Sequence, residues 1–386
     1  MNKAVMEALG LKEAISGYTH SFYNYPARFH PKFVKAVIET FTNIGDCVID
    51  PFMGGGTTAV EAVYCGRKFL GIDINPLSTF SARVKTTPLA KKDIRTIREW
   101  VTKTPDFVNL HRKVALENKW APYVRNMPWW IRKTITILLR KINKLDNEKQ
   151  KNFIRCGILT TGQWALDCKT SIPSSKSFLA MLQYKLNWMI NDLHEYQGRL
   201  RQNLDVPLSQ LQRRRKLICR PVAGIEKDKR VIRRWTPAKL VLTSPPYPGV
   251  HVVYNRWQVM GRKETPAPYW IINSTDGNGL SYYTLGDRKE KGLKKYFQNL
   301  CASFESIKHF LDKNSTVVQL VGFSDPSWQL KRYLGIMADL GLREIEFSGD
   351  LSERYYRRVP NRKWYTQYRD VTSSSDREFL LVHKLG

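Results

Sequence analysis

Residues 47–73 limit the fold of this chain more than any other stretch. Cys47-Val48-Ile49-Asp50 follows a Gly45-Asp46 turn and has the short apolar pattern of a buried strand. Pro51-Phe52-Met53-Gly54-Gly55-Gly56 comes next, and its consecutive glycines carry no Cβ that would keep a ligand off the main chain. Residues 57–65 carry Ala59, Val60, Ala62 and Val63 at helical spacing, and 68–73 return to a strand pattern that ends in Asp73. Strand, glycine loop, helix, strand and terminal acid, the acid about 20 residues after the loop opens, form the start of a doubly wound nucleotide-binding unit. In such a unit the acid binds ribose hydroxyls. A helix-capping glycine turn would explain the loop but not the order of everything around it.

The loop also selects among ligands. The chain has neither the G-x-x-x-x-G-K-[ST] pattern of a triphosphate loop nor a clean G-x-G-x-x-G. Asp50 opens the loop with a carboxylate, which repels a pyrophosphate and attracts a cation. S-adenosylmethionine carries an ammonium, a sulfonium and a ribose, so the charges favour this methyl donor over a nicotinamide dinucleotide.

A second constellation follows the apolar run Leu240-Val241-Leu242-Thr243, again a strand pattern. The turn Ser244-Pro245-Pro246-Tyr247 is stiff, and its prolines offer no N–H donors. Main-chain carbonyls and the Ser244 hydroxyl are available as acceptors, and Tyr247 brings a flat face. Two acceptors hold an exocyclic amine with its lone pair turned toward a third direction, where a methyl donor would be attacked in line. Taken alone, the turn would read as a proline-rich strand end.

The blocks together resemble the amino-group DNA methyltransferases, specifically the N4-cytosine type. Tyr25-Pro26-Ala27-Arg28-Phe29-His30-Pro31 is similar to that family's N-terminal cofactor motif. Asp50 to Thr58 is similar to its glycine loop, Gly71-Ile72-Asp73-Ile74-Asn75-Pro76 to its ribose segment, and Thr243 to Tyr247 to its catalytic motif. The resemblance implies a Rossmann-like, mostly parallel seven-stranded α/β sheet with its last strand antiparallel. It implies an S-adenosylmethionine site of Phe29, His30, Asp50, Phe52, Gly54, Gly56, Thr57, Asp73 and Ile74. It also implies a catalytic turn of Ser244, Pro245, Pro246 and Tyr247 acting on the N4 of a flipped-out cytosine in double-stranded DNA, with a cognate restriction endonuclease as partner. Adenine N6 in DNA and an amine in RNA remain open as targets, as does a DNA-binding protein with an inactive methyltransferase core.

Charge supports a polyanionic partner. The chain has 386 residues and a net charge of +29. Residues 91–235 hold 32 Lys and Arg against 12 Asp and Glu, an excess of 20, and seven of the eleven tryptophans, at 100, 120, 129, 130, 164, 188 and 235. Helical patterns at 128–142 and 177–196 make this stretch a basic, mainly helical target-recognition insert, with most of the tryptophans structural. It lies between a cofactor part (1–90) and a catalytic part (236–386). Arg213, Arg214 and Arg215 within it, and Arg358 beyond it, are candidate nucleic-acid contacts. Tyr355, Tyr356, Arg358 and Trp364 fall near a family region that helps hold the flipped base. Residues 250–287 read as a loop with functional contacts. The cysteines form no C-x-x-C pair and the histidines no close pair, so a metal-free, reduced, cytoplasmic and nucleoid-associated protein is expected. With no run of 18 apolar residues, a membrane span is not expected.

Overall fold

The computed structural model describes residues 2–26, 28–204, 207–248, 256–261, 263–276, 285–286, 290–345, 354–359 and 376–386. Its strands are β1 (Cys47–Asp50), β2 (Lys68–Asp73), β3 (Arg215–Cys219), β4 (Leu240–Thr243), β5 (Trp257–Val259), β6 (Lys263–Thr265), β7 (Thr316–Gly322), β8 (Leu342–Glu344), β9 (Tyr356–Arg358) and β10 (Arg377–Leu385). β1, β4 and β7 are buried along their whole length, which is why they read as unbroken apolar runs.

The main sheet has the order β3-β2-β1-β4-β7-β10-β8, with β9 added beside β10. The first five strands are parallel. β10 is antiparallel to β7, β8 and β9. This is the Rossmann-like methyltransferase arrangement, with an antiparallel strand inserted near one edge and β9 as an extra strand. The chain builds outward from β1 to β3, then returns to build outward from β4. The switch point therefore lies between β1 and β4, where open α/β sheets bind ligands.

The helices are α1 (Lys3–Leu9), α2 (Pro31–Phe41), α3 (Thr57–Tyr64), α4 (Pro76–Lys85), α5 (Lys91–Thr102), α6 (Thr104–Phe107), α7 (Trp129–Ile142), α8 (Glu148–Leu166), α9 (Ser175–Asn203), α10 (Leu208–Leu211), α11 (Lys229–Trp235), α12 (Ala267–Ile271), α13 (Glu290–Lys308) and α14 (Pro326–Asp339). Alternation along the strands sends side chains to opposite faces. Val48, Leu240, Leu242, Val318 and Leu380 meet Phe33, Val34, Val37 and Ile38 of α2 and Ala59 and Ala62 of α3. Ile49, Val241, Val317 and Leu381 meet Phe304 of α13, Tyr333 of α14 and Trp235 of α11. Helices α5 to α9 form a body whose core, including Ile135, Phe153, Leu182 and Leu186, is continuous with Val60, Val63, Leu77 and Val84 of α3 and α4. It thus docks against the helices covering the sheet. Trp100, Trp120 and Trp235 are buried, Trp130, Trp164 and Trp188 pack at the rims of the apolar clusters, and Trp129 is 56% exposed.

Two expectations change. The helical region does not run to residue 235. Residues 215–219 are the parallel edge strand beside β2, with Arg215 opposite Phe69 and Cys219 opposite Asp73. Val231 and Trp235 of α11 belong to the sheet's own core. Arg213 and Arg214 precede this strand, Arg215 is half-buried on it and Lys216 is exposed on it, an edge position where charge is tolerated. The stretch 250–287 is not simply a loop. Among its described residues, β5 and β6 form an antiparallel hairpin, and Trp257, Tyr269, Trp270 and Ile271 are buried against the helical body. Residues 249–255, 262, 277–284 and 287–289 lie outside the described residues, as do 346–353 and 360–375, which include Trp364.

Candidate active site

The glycine loop is fixed from behind. Gly54 and Gly56 take left-handed φ values of +52° and +79°, which glycine adopts without a Cβ penalty. The two differ in what surrounds them. A Cβ on Gly56 would stand 2.7 Å from Ala82 Cβ, so this glycine lets α3 and α4 approach. A Cβ on Gly54 would make only ordinary contacts, the nearest at 3.7 Å. The Gly54 N–H donates to Asp73 Oδ2 (2.8 Å). Ser78 Oγ donates to the Gly54 carbonyl and to Asp73 Oδ2 (2.8 Å). Lys85, buried, donates through Nζ to the Gly55 carbonyl (2.8 Å), and burial pushes its pKa down to about 7. The Asn75 side chain caps α4 by accepting from Leu77 N–H and donates to Tyr25 Oη beneath the loop.

Asp73, expected at the ribose, closes β2 and is partly exposed beside Ile74, which is 37% exposed. Burial raises its pKa, while N–H groups of Asn75 and Gly54 and the Ser78 hydroxyl pull it down. Phe52 and Gly54 are also partly exposed. These four residues fit a ribose-bearing, cationic ligand at the strand ends. Thr57 and Gly56 are buried. Phe29 packs on Phe33, with ring centroids 5.8 Å apart. His30 is buried at the N-terminus of α2, its Nδ1 without a hydrogen-bond partner, and burial lowers its pKa.

Asp50 departs from expectation. It is withdrawn from solvent: its side chain is 1% exposed, and both oxygens take protein donors. Oδ1 accepts from Phe52 N–H (3.1 Å) and Thr243 Oγ1 (2.8 Å), and Oδ2 accepts from Thr58 Oγ1 (2.7 Å). Burial pushes its pKa up to about 7, against the pull of the donors. Because β1 and β4 are neighbours, this carboxyl ties the glycine loop to the residue just before Ser244.

The Ser-Pro-Pro-Tyr turn is held on two further sides. Tyr296 of α13 donates through Oη to the Pro246 carbonyl (2.8 Å). Ser244 Oγ donates to Tyr247 Oη (3.1 Å), and Tyr247 Oη donates to Glu378 Oε1 (2.8 Å). Arg357 Nε donates to Glu378 Oε2 (2.7 Å). Pro245 is buried, whereas Ser244, Pro246 and Tyr247 remain partly exposed. Glu378, Tyr296 and Lys85 carried no local signal as site residues, and Thr243 only as the head of the turn motif. Their roles arise from strand and helix placement.

The arginines expected at nucleic acid are spread out. Arg215 donates to the carbonyls of Thr86 and Arg83 and to Thr87 Oγ1, and burial lowers its pKa to about 10. Arg214 donates to the Gly66 carbonyl. Both side chains brace the sheet edge. Arg213 is exposed. Arg358 is exposed on β9, opposite Arg377 of β10. Tyr355 and Tyr356 are 36% and 37% exposed.

The sheet order and the strand-end glycine loop define the class as a Rossmann-like α/β domain. Residues 11–78 match the family model N6_N4_Mtase, described as DNA methylase, so the resemblance to amino-group DNA methyltransferases is borne out over that stretch. The family match implies S-adenosylmethionine as the methyl donor. The chain is 36% identical over 94 residues to the type II methyltransferase M.MjaII of Methanocaldococcus jannaschii, covering 23% of this chain and 17% of that protein. It is 30% identical over 134 residues to the type II methyltransferase M.MvaI of Kocuria varians, covering 34% and 30%. It is 43% identical over 54 residues to the DNA adenine methyltransferase YhdJ of Escherichia coli, covering 14% and 18%. The matches thus span less than a third of each relative's own length.

Proposed function

We propose that this chain is a DNA amino-methyltransferase that methylates the N4 of a cytosine turned out of duplex DNA. The observation that supports this most is the bond from Thr243 to Asp50 at the switch point, which joins a nucleotide-type glycine loop to an amine-binding turn. Bound S-adenosylmethionine supplies a methyl group activated by its sulfonium. Asp73 and Ile74 would hold the ribose end. Gly54 and Phe52 would line the methionine end, with Phe29 and His30 flanking it.

The protein's own contribution is positioning and electrostatics. Ser244 gives its hydroxyl hydrogen to Tyr247, which leaves Oγ as an acceptor for one amine hydrogen. The Pro245 carbonyl takes the second. Tyr247 offers its ring as a stacking face to the extruded base, which costs a few kcal/mol to unstack. The basic helical body is the proposed duplex-binding surface, and a cognate restriction endonuclease, sharing the site in the cytoplasm, the proposed partner. Ser at the head of the turn supports cytosine. Adenine N6 is the second reading, because one relative is named an adenine methyltransferase.

Nucleoside mass spectrometry of duplex DNA treated with the protein and isotope-labelled donor tests this. Labelled N4-methylcytosine is expected. Labelled N6-methyladenine would replace the base assignment, label found only in RNA would replace the substrate, and donor binding without any transfer would leave a DNA-binding protein with an inactive core.

A further inference from the structure

We infer that Glu378 takes up the proton released by methyl transfer, through Tyr247 and Ser244, while Arg357 holds its carboxylate in place. This rests on the function proposed above and holds for cytosine or adenine alike. As the nitrogen–carbon bond forms, the carbon–sulfur bond breaks and its electron pair stays on sulfur, leaving a neutral thioether. The methylated nitrogen is then positively charged and must lose one proton. Ser244 Oγ accepts it and passes its own hydrogen to Tyr247 Oη, which passes its hydrogen to Glu378 Oε1. One positive charge on the donor and one negative charge on Glu378 are thereby cancelled.

The geometry favours this direction. Each hydroxyl donates toward Glu378, over 3.1 Å and then 2.8 Å. The chain begins at a partly exposed serine and ends at a carboxylate only 6% exposed. Glu378 reaches the site because β10 runs antiparallel to β7. Its start therefore lies at the same edge as the carboxyl ends of β1, β2, β4 and β7, with Glu378 opposite Gly322. Among the described residues, the groups facing it are few. Arg357 comes from β9, directly opposite in register. Tyr247 comes from the turn, and Gly322 of β7 brings no charge. His30 of the α2 N-terminus is disfavoured as a cation mainly by burial, with a smaller push from Arg357. Arg377 is one residue away, on the other face, with its guanidinium 4.7 Å from the Tyr356 ring centroid. The other described acids at the edge take different donors: Asp50 the Phe52 N–H and the Thr58 and Thr243 hydroxyls, and Asp73 the Gly54 and Asn75 N–H groups and the Ser78 hydroxyl.

Glu378→Gln keeps an acceptor for Tyr247 at nearly the same size but cannot take a proton. Tyr247→Phe keeps the ring and breaks the chain. In single-turnover methylation across pH, the wild-type rate should rise with pH along an acidic limb. Both variants should be roughly 10²-fold slower and lack that limb. A second readout needs neither donor nor DNA. Carbon-13 NMR of carboxyl-labelled glutamate identifies Glu378 by the signal lost in Glu378→Gln, and Tyr247→Phe should displace that signal, because it removes the hydroxyl bonded to Oε1. A Glu378→Gln protein with the wild-type rate and pH profile, or a Glu378 signal indifferent to Tyr247→Phe, overturns the relay. If at the same time wild type methylates and Ser244→Ala does not, the proposed function stands without it. A wild type that transfers no methyl group to any nucleic acid removes both.

Discussion

Asp50 joins two motifs by being withdrawn from solvent. Its folded pKa of about 7 lies above the usual value near 3.8. A raised carboxyl pKa makes the folded state bind more protons than the unfolded chain between those values, so stability is lost as pH rises from about 4 to 7. Relative to Asp50→Asn, wild type should lose about 4 kcal/mol over that window, read from urea denaturation at each pH. A pH-independent difference would mean that the carboxyl is not buried as charged. Ser244 works differently. Ser244→Ala removes one amine acceptor and leaves the loop intact, so turnover should fall by roughly 10²–10³ with donor affinity unchanged by calorimetry. Tyr247→Ala removes a stacking face worth roughly 1–3 kcal/mol. It should also weaken capture of the extruded base, followed by 2-aminopurine fluorescence beside the target.

The glycine loop separates packing from ligand approach within three residues. Gly56→Ala adds a left-handed strain and drives a methyl into Ala82, so it should destabilise the fold by about 1–3 kcal/mol. Gly54→Ala meets no close neighbour and should cost the fold about 1 kcal/mol. Its effect should fall on donor affinity, because the new Cβ keeps the ligand off the main chain. Denaturation and calorimetry on the pair distinguish the two roles, and an equal loss of stability in both would remove the distinction.

At the scale of the molecule, the charge of +29 should make the proposed binding to duplex DNA steeply salt-dependent, with a log–log slope of about −0.9 per phosphate contacted. Arg215 is spent on Thr86, Arg83 and Thr87. Arg215→Gln should therefore lower stability and leave the slope unchanged. A flattened slope with unchanged stability would return this residue to the DNA surface.

The sequence by itself determined the elements whose chemistry is local. β1, β4 and β7 are buried along their length and β2 over its middle, so all four are mostly apolar; α2, α3 and α4 carry their own periodicity, with a first-turn proline on α2 and α4. The Gly54–Gly56 loop and the Ser244–Tyr247 turn were legible because few residue types permit such backbones. β3 was not legible, since an edge strand keeps an exposed side and Arg215 and Lys216 hid its ladder to β2. Nor was the β5–β6 hairpin, whose burial depends on the helical body it meets. Only the tertiary structure decided that Thr243 reaches Asp50 across 193 residues and Tyr247 reaches Glu378 across 131. Sequence records how a segment prefers to bend and which face it buries. Which distant carboxyl meets which hydroxyl depends on strand order, and here that order sets β4 beside β1 and turns β10 back against β7.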